Sequence, residues 1–357
     1  MDGYDKTKSS YGVFAMCNAP WNNMYFTATG KVSPCWKLPG YCDNWSKERS
    51  IMDIWKGDKF QMYRDALSEN KFINRCASCK KDVDDGVWPL ARAYEGHGIN
   101  ENGYPVYMEL ELSNQCNLEC VMCSGLLSSG IRKNRDKLPP LPQIYDESFR
   151  EQMREFLPHL KELRFNGGEP LSQKIVLDVC EDAVDLNPML PIWMATNGTV
   201  YNKRVKYLMD RCNLNFNVSI DSLIPERYSS IRINGHLEDV LRNFDIYRNY
   251  CLKKTQYKNQ VISGLSIMVN PMRVNWDEMV NFGVFASEKN VNIWYNTILY
   301  PQHLAIWNLP SSEIKNIYDT LKSQLDTLPE SSIPHQTNHL VNNQIKNWIL
   351  DSLERGE

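Results

Sequence analysis

Three cysteines at C-x3-C-x2-C spacing, Cys116, Cys120 and Cys123, stand together in the run MELELSNQCNLECVMCSG. Thiolates are the natural ligands of iron–sulfur clusters, and four of them saturate a [4Fe–4S] cube. Three leave one iron open to an outside ligand, which suits chemistry as well as electron storage. Small buried packing groups and a zinc site are the other readings of such a trio. Zinc usually closes with four Cys/His ligands, and no fourth follows here.

Downstream, an apolar run ends in Asn166-Gly167-Gly168-Glu169-Pro170, a second in Thr196-Asn197-Gly198, and a third in Ser219-Ile220-Asp221, with Arg232 eleven positions on. Paired glycines let a backbone edge approach a ligand closely. A glutamate accepts a hydrogen bond from an ammonium group, and an arginine fork suits a carboxylate. Alone, these are ordinary turns and a surface ion pair; their order behind the cysteine trio gives them weight.

Cys17 and Cys35 flank a Thr29-Gly30 turn between strand-like segments, and Cys76-Ala-Ser-Cys79 follows an amphipathic stretch. A hairpin and a C-x2-C knuckle can bring four thiolates to one centre, with a four-cysteine zinc ribbon as the competing reading. Cys42 is either a substitute ligand or a bystander. Cys180, Cys212 and Cys251 fall in helix or strand-edge patterns and read as packing residues.

In these motifs the chain resembles the radical S-adenosylmethionine (SAM) superfamily. The resemblance implies a [4Fe–4S] cluster on Cys116, Cys120 and Cys123, whose open iron binds SAM. It further implies that Gly167, Gly168 and Glu169 hold the SAM amino group, and that Ser219 and Arg232 contact its ribose and carboxylate. Asn197 lies in the segment similar to the family's Thr-Asn-Gly, and Val269 and Asn270 stand where backbone contacts to adenine fall. The residue before the third cysteine is usually aromatic there; Met122 departs from that, with a thioether that can still cover a ring. The N-terminal cysteines resemble a SPASM/twitch auxiliary-cluster domain in its one-cluster form, with Cys17, Cys35, Cys76 and Cys79 at the ligand positions of a second [4Fe–4S] cluster. That module usually follows the barrel; here it precedes it.

These groups need elements to hold them. Strands are expected at 106–113, 162–166, 191–197, 213–220, 261–269 and 291–299, and amphipathic helices at 146–157, 172–185, 202–210, 236–252 and 274–289. Such alternation argues an α/β fold with a parallel sheet. Six units suit the open (β/α)6 partial TIM barrel of the resembling family, with functional groups at the carboxyl ends of the strands. The expected organisation is an auxiliary-cluster domain over 1–98, a radical SAM core over 104–310 and a helical C-terminal extension over 311–357. The connection 124–145 is expected to be an extended active-site loop, and two helices around a loop are expected after 311.

The net charge of −3 gives no broad electrostatic reason to expect nucleic acid, and no apolar run is long enough for a membrane span. The first residues lack an apolar signal region. With eleven cysteines this argues for a reducing, cytoplasmic setting and metal ligation over disulfides. The expected activity is reductive SAM cleavage to a 5′-deoxyadenosyl radical that abstracts hydrogen from a small-molecule or peptide substrate. A two-electron oxidation or a peptide or natural-product modification assisted by the auxiliary cluster is the leading form, with a flavodoxin or ferredoxin as reductant. Redox-neutral epimerisation or rearrangement is the alternative, and a non-catalytic iron–sulfur or zinc protein is the reading from another class. Tyr295 and His303 are the catalytic candidates near the sixth strand end, with Asn296 and Tyr300 beside them; His303 has the ring to act as a base near neutral pH.

Overall fold

The computed structural model describes residues 15–38, 42–73, 76–84, 91–100, 102–254, 261–329 and 334–354. The first residues, read as lacking a signal region, lie outside these. The chain divides into two compact units: Met1–Gln115, Pro139–Met194 and Lys203–Leu214 form one, and Cys116–Leu138, Ala195–Asn202 and Asn215–Glu357 the other.

In the first unit β1 (Asn23–Phe26) and β2 (Lys31–Ser33) form the expected antiparallel hairpin, and β3 (Asp43–Asn44) pairs with β2. Gly30 closes the turn at φ 80°, a conformation that favours a residue without a Cβ. β4 (Tyr107–Leu110), β5 (Glu162–Phe165) and β6 (Pro191–Thr196) continue the sheet in parallel. One pairing was not expected from sequence: β1 runs parallel to β4, with Asn23 opposite Tyr107 and Phe26 opposite Leu110. The cysteine-rich segment therefore shares a sheet with the α/β strands.

Side chains alternate between the two faces of these strands. Met24, Phe26, Met108, Leu110, Leu163 and Phe165 are buried on one. Asn23, Tyr25, Glu109 and Arg164 occupy the other, where Glu109 accepts from Tyr94 Oη at 2.6 Å, Arg164 Nη1 at 2.9 Å and Asn23 Nδ2 at 3.2 Å. Helices Glu147–Phe156, Lys174–Leu186 and Lys203–Arg211 supply buried apolar stripes, including Phe149, Met153, Val176 and Leu208.

In the second unit β7 (Asn213–Ser219), β8 (Leu265–Val269) and β9 (Asn292–Tyr295) are parallel. Helices Pro225–Ile231, Leu237–Lys254 and Met279–Lys289 alternate with them, and Ser311–Asp326 and the run from His335 to Glu354 complete the helical end. The loop expected between these last two falls partly at 330–333, outside the described residues. Strand and helix order from β4 to β9 is the expected α/β alternation of six units, mostly parallel.

The stretch 124–145 differs from the extended loop expected. Ser129–Asn134 is helical, with the Ser128 hydroxyl accepting from Ile131 N and donating to Leu118 O at 2.8 Å. Gly130, within this helix, serves a close approach: a Cβ there would lie 2.9 Å from Glu119 Cγ. Among the described residues no helix is long and apolar enough to cross a membrane.

Candidate active site

The three clustered cysteines sit on a loop tied down at both ends. Glu119 N donates to Ile233 O at 3.1 Å and Val121 N to Ile231 O at 2.9 Å, a short ladder that lays the loop along the segment after the Pro225–Ile231 helix. Arg232 lies between those two carbonyls, and its Nη1 stands 3.9 Å from Cys120 Sγ. The Nη2 of the same fork pairs with Asp221 at 2.6 Å, with both side chains buried. Burial is the largest influence and works against the arginine charge, but Asp221, Cys120 and Tyr228 together offset it, so the guanidinium is held charged. Burial pushes the Cys120 thiol up to about 11, and Arg232 pulls in the opposite direction.

On the other side of the loop Cys116 Sγ faces Leu118 N at 3.5 Å and Asn197 Nδ2 at 3.8 Å. Asn197 also donates to Asn117 Oδ1 at 3.0 Å, while Asn117 Nδ2 donates to Thr199 Oγ1 at 2.9 Å. The Thr-Asn-Gly segment is thereby stitched to the cysteine loop. Met122 packs, half-buried, against a buried cluster that includes Ile231, Met272 and Ile298. Cys123 opens into a cleft of about 620 Å³ shared with Glu119, Arg135, Tyr300 and His303, a size that suits a small organic ligand.

The donor chemistry fits an iron–sulfur cube. Nitrogen–hydrogen groups are aimed at two of the three sulfurs, and such outer contacts stabilise bound thiolates. Arg232 Nε is buried without a hydrogen-bond partner, a donor that a bound ligand can satisfy. Among the described residues no three Cys, His, Asp or Glu side chains gather as ligands of one ion do. Thiolates on a cube each take a different iron and stand farther apart.

The Gly-Gly-Glu-Pro loop, in the first unit, is shaped by close backbone approach. Gly167 and Gly168 adopt φ 73° and 57°. A Cβ on Gly168 would collide with Gln115 O and come within 2.7 Å of Gln173 Nε2. Glu169 N donates to Gln115 O at 2.8 Å, and its buried carboxylate accepts from Leu171 N at 3.1 Å. Gln173 Nε2 donates to Ser113 O at 3.1 Å and Gly167 O at 3.0 Å. Beside Gly167 lies Glu111, a residue the sequence reading passed over. Burial pushes its carboxyl up to about 7, against the pull of a Tyr25 hydrogen bond and with a further push from Glu109.

Cys17, Cys35, Cys76 and Cys79 line one cavity with Trp36, Lys37, Leu38, Phe72 and Tyr94. Burial pushes the Cys17 thiol up to about 12 and Cys76 to about 11, and their neighbouring cysteines push the same way. Four partly buried thiols around one cavity, of which Cys17, Cys35 and Cys76 resist ionising, are suited to a cationic cluster that takes them as thiolates. Cys42 is not among the cavity's lining residues; it is buried beside Asp43, near Lys59 and Arg64.

Of the other expected residues, Ser219 ends β7 opposite Met268, and Asn270 donates to Asp221 Oδ1 through both its backbone and side-chain nitrogens, at 2.7 and 3.0 Å. Asn296 Nδ2 reaches Asn270 Oδ1 at 3.5 Å. His303 shares the cleft with Cys123, but Tyr295 does not join it. The Tyr295 hydroxyl is buried, donating to Met279 O at 2.8 Å and lying 3.0 Å from Thr337 Oγ1. The expected packing cysteines are buried, with Cys212 Sγ donating to Cys180 O at 3.4 Å and Cys251 Sγ to Gly264 O at 3.3 Å.

Residues 110–280 match the radical SAM superfamily, and residues 17–80 match SPASM, an iron–sulfur cluster-binding domain. Among curated proteins, a GTP 3′,8-cyclase of Pseudomonas entomophila is 24% identical over 189 residues, covering 52% of this chain and 52% of the relative. A GTP 3′,8-cyclase of Lactiplantibacillus plantarum is 24% identical over 221 residues, covering 60% of this chain and 61% of the relative. The chain thus spans about half to three-fifths of the length of these relatives. Among solved structures, Streptococcus suis SuiB bound to S-adenosylmethionine aligns with a TM-score of 0.44 at 11% identity, covering 74% of this chain and 57% of that one.

Proposed function

From a chain that belongs to the radical SAM superfamily and carries a SPASM iron–sulfur domain ahead of its radical SAM domain, we propose that Cys116, Cys120 and Cys123 hold a [4Fe–4S] cluster open to SAM at one iron. The family brings a [4Fe–4S] cluster and SAM as cofactors, and the SPASM domain brings auxiliary iron–sulfur. When bound, the cluster and SAM supply an electron and a 5′-deoxyadenosyl radical that takes a hydrogen atom from substrate. The observation that carries the ligand assignment is the pair of nitrogen donors, Asn197 and Arg232, facing Cys116 and Cys120 from two strand-end segments.

The chain's own residues divide the remaining work. Gly167 and Gly168 open the backbone for the SAM amino group, and Glu169 accepts from it. Met122 covers the adenine, Ser219 meets the ribose, and Arg232 is the nearest cation for the carboxylate. Cys17, Cys35, Cys76 and Cys79 hold the auxiliary cluster. Its presence favours a net two-electron oxidation or maturation of a small-molecule or peptide substrate, with His303 in the cleft to take a proton. A reductant of the flavodoxin or ferredoxin kind supplies the first electron.

A redox-neutral cyclisation or rearrangement is the second reading, favoured by the name shared by the curated relatives. Anaerobic reconstitution followed by an assay for 5′-deoxyadenosine tests the core of both readings. Formation that disappears in a Cys116/Cys120/Cys123→Ala variant is the expected result; none in the reconstituted wild type would overturn it. Incubation with GTP separates the two: an isomeric cyclised product supports the second, and its absence leaves the oxidation favoured.

A further inference from the structure

We infer that Arg232, clamped by Asp221, is a positioning residue that raises the reduction potential of the cluster assigned to Cys116, Cys120 and Cys123. The inference rests on that ligand assignment and concerns a role separate from contact with SAM.

The clamp is built from several bonds. Asp221 is fully buried, and its Oδ1 accepts twice from Asn270. Asn275 Nδ2 donates to the Asp221 carbonyl at 2.7 Å, so the backbone of the acid is fixed as well. The remaining oxygen, Oδ2, takes Arg232 Nη2 at 2.6 Å. The guanidinium is planar, so fixing Nη2 also fixes where Nη1 points. That direction is Cys120 Sγ, at 3.9 Å. The ladder between the cysteine loop and Ile231 and Ile233 holds the sulfur at the same height.

Reducing a cluster adds negative charge spread over its irons and sulfurs. A fixed cation with a nitrogen–hydrogen bond aimed at a ligand sulfur stabilises the reduced form more than the oxidised one. Burial strengthens this, because little water screens the charge. Asp221 opposes it, but its carboxylate is bound at Nη2 while Nη1 is the group that faces the sulfur. An ion pair serving stability alone has no need to turn its cation toward a sulfur, and a buried pair is weak evidence for stability in any case.

The test uses the full reconstituted chain without SAM, titrated potentiometrically and followed by electron paramagnetic resonance. The relevant signal is the one missing from the Cys116/Cys120/Cys123→Ala variant. Because Arg232→Gln alone strands a buried carboxylate, the deciding variant is Arg232→Gln with Asp221→Asn, which keeps volume and leaves no unpaired charge. At the wild-type midpoint its reduced-to-oxidised ratio should fall about tenfold, a lowering of about 59 mV for one electron, at unchanged iron content. Arg227→Gln, which breaks the ion pairs with Asp277 and Glu278, should leave the potential in place. A double variant that keeps its iron and titrates with the wild type overturns the inference, as does an equal shift in Arg227→Gln. A wild type whose iron does not depend on Cys116, Cys120 and Cys123 overturns the ligand assignment first, and this inference with it.

Discussion

The Asn197 side-chain amide faces the Cys116 sulfur at 3.8 Å while also donating to Asn117 Oδ1 at 3.0 Å. One residue after β6 thus braces the first cysteine and the residue that follows it. Asn197→Ala should remove both contacts at a cost of about 1 kcal/mol. Its consequence is faster iron loss under chelator challenge, read by visible absorbance. Equal loss rates in variant and wild type would count against a bracing role.

Gly168 has no space for a side chain. Gly168→Ala would force a left-handed φ on a residue with a Cβ and drive that carbon into Gln115 O. The expected cost is about 1–3 kcal/mol, seen as a lower melting temperature. SAM affinity measured by calorimetry should fall with it.

Glu111 makes stability depend on pH. Its folded pKa, about 7, lies above the ordinary 4.5. Below the ordinary value both states are protonated and the group is neutral in its effect. As pH rises toward 7 the unfolded chain ionises first, so the folded state loses stability, by up to roughly 3 kcal/mol, and the loss is complete above 7. Urea melts at about pH 5 and about pH 8 should show a larger drop for wild type than for Glu111→Gln. Parallel drops would place the titration elsewhere.

Two cubes correspond to about eight irons per chain, and substitution of Cys17, Cys35, Cys76 and Cys79 by Ala should leave about four. Cys42→Ala should not change the count, since Cys42 is not among the residues lining the quartet's cavity. A fall in iron with Cys42→Ala would make it a ligand after all.

Much of this was legible from local pattern. The strand–helix order, the hairpin around Gly30 and the cysteine sets are encoded in short windows of alternation, turn residues and spacing. What escaped were the relationships between distant segments. Arg232 and Cys120 are 112 positions apart, and nothing near either residue announces the ladder that joins their segments. Asp221 was visible as a strand-end acid but not as the arginine's clamp. The connection 124–145 reads as a loop, and the approach of Glu119 to Gly130 inside its short helix is a tertiary fact. Tyr295 shows how a single residue of strand parity matters: its neighbour Trp294 is half exposed, while Tyr295 turns inward to Met279 and Thr337.

The parallel pairing of β1 with β4 makes the N-terminal segment a structural neighbour of the radical SAM strands. A shortened chain beginning at Val106 would strip β4 of that neighbour and leave its backbone amides and carbonyls as a raw sheet margin. Such margins recruit strands from other molecules. Excising the cysteine-rich segment to study the radical SAM core alone would therefore produce a self-associating protein, and the loss of activity that followed would say little about electron transfer.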